Sequence, residues 1–250
     1  MLLTALTIVA CLYGGLCLFF FLFQRSFIYM PTPATATHDA ARVLEVPNAR
    51  LRIATRSLAG PKALVYFGGN AEDVAYTVPE LAAAFPDRAI YALHYRGYSG
   101  STGRLTEASL RNDAKAVFQM AHGPHADVMV VGRSLGSSLA IQLAAEMPVS
   151  RLVLVTPFKS ILAIASRVAP FLPMQLLLCD PWESWRYAPK VSCSTLVIAA
   201  SHDDIVPLGD TKELLAAFQP GVATMRMIDG TDHNSVSGSE EFWESLVQGR

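Results

Sequence analysis

Val128-Met129-Val130-Val131-Gly132-Arg133-Ser134-Leu135-Gly136-Ser137-Ser138-Leu139-Ala140 carries an apolar run into Gly-x-Ser-x-Gly and straight on into a helical pattern of small and apolar residues. The run has the length of a buried strand, and the residues after it suit a helix lying close to that strand. Strand, sharp turn and helix are the context that exposes a serine at the top of a sheet. Gly132 and Gly136 leave room where a side chain would strike a neighbouring strand or helix. Ser134 is therefore the candidate nucleophile. The N–H of Leu135, directly after it, is a candidate donor to an oxyanion.

Working outward, strands and helices alternate. Leu51–Ser57, Lys62–Phe67 and Ala89–Leu93 read as strands before the elbow, with helices over Glu72–Ala84 and Thr106–Ala121, the latter capped by Thr106. After it come helix Leu135–Glu146, strands Arg151–Val155, Thr195–Ala200 and Ala223–Ile228, and helices Leu208–Phe218 and Glu240–Val247. Continuous apolar strands between amphipathic helices predict an α/β fold with a mostly parallel sheet covered on both faces. In such sheets function sits at the carboxyl ends of the strands. Thr156–Ser194 breaks the rhythm with Pro157, Pro170, Pro173, Pro181 and Pro189 and the aromatics Phe158, Phe171, Trp182 and Trp185. An insert at this point predicts a small apolar cap over Ser134; two plain packing helices are the alternative.

Leu2 to Phe23 carries no charged side chain and ends at Gln24-Arg25. At about 1.5 Å per residue such a helix crosses a bilayer. The run is too long for the apolar core of a signal peptide and has no basic flank before it. Ile8-Val9-Ala10-Cys11 is similar to a lipoprotein processing site, but the apolar stretch continues well past it. The organisation expected is an uncleaved single-pass anchor over 1–24, a linker over 25–40 and a folded domain over 41–250 with 156–194 as its insert. Pro31–Thr37 reads as a stiff Pro/Thr/Ala spacer. Phe27 and Tyr29 suit a membrane interface, and Arg25, Arg42, Arg50 and Arg52 after the span put the body on the cytoplasmic side.

The net charge of −1 leaves no electrostatic footprint for nucleic acid. There is no Cys-x-x-Cys and no metal-ligand spacing; Cys179 and Cys193 are either free thiols or one disulfide.

A serine hydroxyl needs a base, and the base needs an orienting acid. On sheets with this elbow they follow in the order serine, acid, histidine. Ile198-Ala199-Ala200-Ser201-His202-Asp203-Asp204 runs a strand into two carboxylates, of which either can serve, the other being an Asx turn or cap. After the last strand a tight turn, Asp229-Gly230-Thr231-Asp232, leads to His233 just before the closing helix, and His233 is the candidate base. His122 and His125 flank a loop on the wrong edge and read as solvated, His94 precedes the serine, and His202 adjoins the acid. Phe67-Gly68-Gly69-Asn70-Ala71 ends an early strand, and the Asn70 N–H is the second candidate oxyanion donor. Arg96 in the loop after His94 either lines the site or forms a salt bridge.

Phe67-Gly68-Gly69-Asn70-Ala71, Tyr95-Arg96-Gly97-Tyr98-Ser99, Gly132-Arg133-Ser134-Leu135-Gly136 and Thr156-Pro157-Phe158-Lys159-Ser160 resemble consecutive blocks of one family. With Gln24-Arg25-Ser26-Phe27-Ile28-Tyr29 at the membrane exit, the chain is similar to membrane-anchored alpha/beta hydrolases of the serine aminopeptidase-like and protein-depalmitoylase branch. The resemblance implies the alpha/beta-hydrolase fold. It also selects Asp203, which opens the family's Asp-x-x-Val-Pro pattern, as the acid beside Ser134 and His233. The three residues together predict hydrolysis of carboxylic esters or thioesters with no metal or organic cofactor, and the membrane placement and aromatic insert point to acyl-chain substrates, small-molecule or protein-linked. A peptidase of the same fold, or a tethered module without activity, are the alternative readings.

Overall fold

In a computed structural model, which describes residues 1–34 and 41–248, the apolar runs build one sheet. Its strands are β1 (Arg42–Val46), β2 (Ala49–Arg56), β3 (Lys62–Phe67), β4 (Ala89–His94), β5 (Asp127–Arg133), β6 (Arg151–Val155), β7 (Thr195–Ala200) and β8 (Ala223–Ile228). The eight lie in the order β1-β2-β4-β3-β5-β6-β7-β8. β2 is antiparallel to β1 and β4, and every other pair is parallel. Parallel strands need crossovers, and the crossover helices cover both faces. α2 (Val74–Ala84) and α8 (Glu240–Val247) bring Leu81, Phe242 and Leu246 onto Leu64, Val131 and Val153. α3 (Glu107–His122), α4 (Leu135–Ala144) and α7 (Leu208–Ala217) bring Val117, Leu139 and Leu214 onto the other face, around Val65, Val130 and Leu152.

β1 is absent from the sequence reading. It is a short edge strand whose Val43 and Arg52 lie opposite each other, and pairing with β2 rather than burial holds it. α2 starts at Val74, not Glu72, because Asp73 caps it through the Ala75 N–H and Glu72 turns away into the preceding loop. The four cysteines are free thiols, so Cys179 and Cys193 form no bridge.

The chain enters through α1 (Leu2–Ile28), one helix long and apolar enough to span a membrane. It continues four residues beyond the expected boundary at 24. Tyr29 after it is buried, and the Thr32 carbonyl accepts from the Ser99 N–H at 2.8 Å. Over its described part the expected linker is thus a helix end and a segment seated on the body. Residues 35–40, which complete the linker and the end of the Pro/Thr/Ala spacer, lie outside the described residues.

The insert holds α5 (Ile161–Val168), α6 (Met174–Leu177) and single 3-10 turns at Ser184–Arg186 and Ala188–Lys190. Ser160 caps α5 through the Ala163 N–H at 3.0 Å. Trp182, wholly buried, roots the insert in the core.

Candidate active site

β3, β5, β7 and β8 each deliver one part of the site at their carboxyl ends, where ligands bind in parallel sheets. β5 runs into Ser134, whose backbone sits at φ 48°, ψ −114°. A serine holds this disfavoured geometry because the neighbours over-determine it. A Cβ on Gly132 would come within 2.4 Å of the Gly136 carbonyl, and one on Gly136 within 2.0 Å of the Phe67 carbonyl. The helix therefore starts pressed against both β5 and the end of β3, and the turn has nowhere to relax.

β8 ends in the turn that carries His233, and β7 in the turn that carries Asp203. His233 Nε2 lies 2.8 Å from Ser134 Oγ, and His233 Nδ1 lies 2.8 Å from Asp203 Oδ2. The His233 and Asp203 side chains are 6% and 4% exposed, so water competes little for these contacts. Asp203 Oδ1 also accepts from the N–H groups of Ile205 and Val206 at 3.0 and 2.7 Å. The turn-forming role that the residues alone assign more readily to Asp204 thus belongs to Asp203, while Asp204 is exposed. One carboxylate holds its own turn through Oδ1 and the imidazole through Oδ2, with Oδ1 also 3.1 Å from His233 Nδ1.

The two backbone donors singled out in the sequence stand differently from their neighbours. Among the described residues, neither the Leu135 nor the Asn70 N–H has a protein acceptor. The Gly69 N–H, one residue before Asn70 in the loop, is taken by Glu72 Oε2 at 2.6 Å. Glu72 is the residue sequence reasoning missed. Its other oxygen accepts from Tyr66 and Thr77 hydroxyls at 2.8 Å each, and Arg133 stands 3.6 Å away. A carboxylate immediately after a Gly-Gly-Asn-Ala loop was the available signal.

The Asn70 side chain does not face the serine either. Its amide donates to the Ile28 carbonyl at 2.7 Å, and its Oδ1 accepts from the Met30 N–H and the Tyr98 hydroxyl at 2.9 and 2.7 Å. Burial pushes the Tyr98 phenol up to about 12, so the proton it donates stays in place at neutral pH. The end of α1 is thereby stapled to the loop that carries the Asn70 N–H.

The remaining candidates fall elsewhere. Arg96 forms a buried salt bridge with Asp113 at 2.7 Å and is not in the site. His125, expected to be solvated, is buried, its Nδ1 2.7 Å from the Gly60 carbonyl and its Nε2 3.2 Å from the Tyr91 hydroxyl. His94 is buried with Nδ1 3.9 Å from Asp73, and His202 is exposed beside Ser201. Among the described residues no three His, Cys, Asp or Glu side chains are grouped to hold a metal ion.

Ser134 and His233 open onto a cavity of about 900 Å³. Phe158, Ile161, Ile164 and Ala165 of the insert, Val206 of the body, and Phe20 and Phe27 of α1 give it an apolar lining. That is the size and chemistry of a small-molecule site, with a few polar groups gathered at one end.

A strand–turn–helix at Ser134, a histidine between serine and carboxylate, and a sheet of this topology point to one class of fold, and the comparisons place the chain in it. The sequence profile of the alpha/beta hydrolase fold matches residues 62–189, and the chain belongs to this family. An uncharacterized Mycobacterium tuberculosis protein is 34% identical over 251 residues, covering 93% of this chain and 88% of that one. The alpha/beta hydrolase domain-containing protein aho-3 of Caenorhabditis elegans is 27% identical over 63% of this chain and 47% of its own. Among solved structures, a Pyrococcus furiosus esterase superposes with a TM-score of 0.68 at 16% identity, covering 88% of this chain and 95% of that one. The last likeness bears on the fold alone.

Proposed function

We propose that this hydrolase is a serine esterase or thioesterase for acyl substrates, anchored in a membrane by α1 with its body on the cytoplasmic side. The observation that carries the chemistry is His233, within hydrogen-bond reach of Ser134 Oγ at one ring nitrogen and of Asp203 at the other. Ser134 Oγ attacks the acyl carbon while His233 Nε2 takes its proton. Asp203 holds the imidazole in the tautomer that leaves Nε2 free to accept, and stabilises the imidazolium that forms. The negative charge developing on the carbonyl oxygen is met by the Leu135 and Asn70 N–H groups, which have no competing acceptor. The intermediate collapses, His233 returns the proton to the departing alcohol or thiol, and the acyl group stays on Ser134. Water then repeats the sequence, His233 taking its proton, and releases a carboxylic acid and free enzyme.

The apolar cavity beside Ser134 supports an acyl group over a polar one. It does not favour a peptidase reading, because a substrate ammonium needs a carboxylate. Among the described residues, the one acidic side chain in the lining is Glu72, already bonded to Gly69, Tyr66 and Thr77.

The test is labelling of detergent-solubilised full-length protein by a fluorophosphonate probe, alongside hydrolysis of p-nitrophenyl esters and acyl thioesters. Wild type is expected to label and turn over, and Ser134→Ala to do neither. Labelling that survives in the mutant would remove Ser134 as nucleophile; wild type inert to probe and to every substrate would leave a binding module.

A further inference from the structure

The insert carries an apolar outer face almost free of charge. Residues 161–179 hold a single charged side chain, Arg167, and its guanidinium turns back onto Asp210 of the body at 2.7 Å. Yet three of the insert's large apolar side chains are exposed: Val168 and Phe171, at the edge of the cavity, are 77% and 62% exposed and Leu176, outside it, 82%. An apolar patch of this kind on an otherwise polar surface marks a contact with a protein or a membrane.

α1 decides between the two. The Tyr13 hydroxyl donates to the Phe171 carbonyl at 2.8 Å, and Cys17 and Phe20 pack on the cluster of Ala169, Leu172 and Met174. Tyr13 precedes Gln24 by eleven residues of unbroken helix, about 16 Å along the axis. A span of about 30 Å of hydrocarbon that ends near Gln24 puts Tyr13 close to its middle. Phe171, bonded to Tyr13, lies at the same depth.

The polar bonding fits such a setting. Irregular backbone within a membrane must find its partners inside the protein. The link from α5 through α6 to Cys179 is irregular, and two α1 side chains serve it. Tyr13 caps the Phe171 carbonyl, and the Gln24 amide donates to the Leu177 carbonyl at 2.9 Å and accepts from the Cys179 N–H. The cavity lies between these same elements, with Gln24 and Ile28 on one wall, Met174 and Leu177 on the other and Ser134 at its end.

We propose that α5 and α6 are immersed in the leaflet beside α1, and that the cavity between them receives an acyl chain from the bilayer itself. The substrate class is a long-chain ester or thioester whose acyl chain already resides in the same membrane. Both acyl lipids and S-acylated proteins carry that chemistry. This deepens the hydrolase and anchor reading above and rests on it.

The experiment uses full-length protein in phosphatidylcholine vesicles. Leu176, which does not line the cavity, is replaced by Trp, and the emission it adds over wild type, which has three tryptophans of its own, is read with lipids brominated at different depths of the acyl chain. Blue-shifted emission quenched by mid-chain bromines is expected; emission at the wavelength of a water-exposed Trp and indifferent to bromine overturns the immersion. A second arm compares Leu176→Asp with wild type. A charge set into hydrocarbon lowers turnover of vesicle-borne monoacylglycerol or S-palmitoyl peptide by about tenfold or more, while soluble p-nitrophenyl butyrate is turned over as by wild type. Cleavage of the lipid alone, the peptide alone or both names the source of the chain. Cleavage of neither by wild type, with butyrate still cleaved, overturns loading from the bilayer. Loss of fluorophosphonate labelling and of butyrate turnover in wild type would instead strike the hydrolase reading, leaving the quenching result to judge the insert separately.

Discussion

His233 has a neighbour at each ring nitrogen, so its tautomer is set by the group at Nδ1. Asp203→Asn keeps an oxygen for the Ile205 and Val206 N–H groups and so keeps the turn. The amide presents a donor to Nδ1, however, and favours the tautomer that carries a proton on Nε2. A fall in kcat of about 10³ to 10⁴-fold with an unchanged melting temperature is expected from steady-state kinetics and thermal unfolding. Glu72 acts at one remove, by occupying the Gly69 N–H and fixing the loop that carries the Asn70 N–H. Glu72→Ala is expected to lower kcat by about tenfold, less than outright loss of an oxyanion donor, with KM little changed. A drop in KM affinity with kcat intact would refute this positioning role. Gly136→Ala tests packing instead: the new Cβ meets backbone 2.0 Å away, and a flexible neighbour cannot absorb it.

The insert holds its position through a chain of polar contacts anchored at both ends. Trp182 Nε1 donates to the Tyr29 hydroxyl at 3.1 Å, Tyr29 donates to Asp180 at 3.2 Å, and Arg25 meets Asp180 at 2.8 Å. On the other side the Trp182 N–H donates to Glu107 at 2.9 Å, and Gln142 donates to the second Glu107 oxygen at 2.9 Å. Asp180→Ala removes the acceptor shared by Arg25 and Tyr29. A loss of about 2 kcal/mol is expected, a fall of about 5 °C in a chain of this size. Glu107 makes the same joint pH-dependent. Burial pushes its carboxyl up, and the Trp182 and Gln142 hydrogen bonds recover only part of that. The folded protein therefore holds this proton more tightly than the unfolded chain does. The stability linked to it is full below the ordinary carboxylate range and is lost as pH rises through the folded value. In Glu107→Gln the dependence disappears, and Gln142 Oε1, without a partner among the described residues, can accept from the new amide. The melting temperature of the variant minus that of wild type is expected to be more positive at pH 7 than at pH 4.

At the scale of the whole molecule, α1 is wall and buttress to the body. It lines the cavity through Phe20, Gln24 and Phe27, and its exit is bonded to Asn70 at the Ile28 carbonyl and the Met30 N–H. A cavity so shaped should reward acyl length. Each methylene that enters adds about 0.8 kcal/mol, about fourfold in kcat/KM, until the apolar lining is covered. A chain-length series of monomeric p-nitrophenyl esters measures the slope and its plateau, and a flat series from acetate onward would contradict an acyl pocket.

How far the chain can be read without coordinates follows from the range of the interactions. The elbow is legible because its causes are local: Gly132 and Gly136 flank Ser134 within five residues, and buried parallel strands show as unbroken apolar runs. His233 and the Asp203-Asp204 pair are legible as candidates because both follow apolar strands whose ends share one rim of the sheet, and the resemblance to the Asp-x-x-Val-Pro pattern is what singles out Asp203. β1 escapes notice because a five-residue edge strand owes its form to its partner. Glu72 reads as helix until the loop before it is seen to need an acceptor. That α1 walls the cavity, that Asn70 grips its exit and that Tyr13 meets Phe171 across 158 residues have no local signature. Such contacts are chosen by which surfaces remain apolar and which backbone groups remain unpaired once everything else has packed.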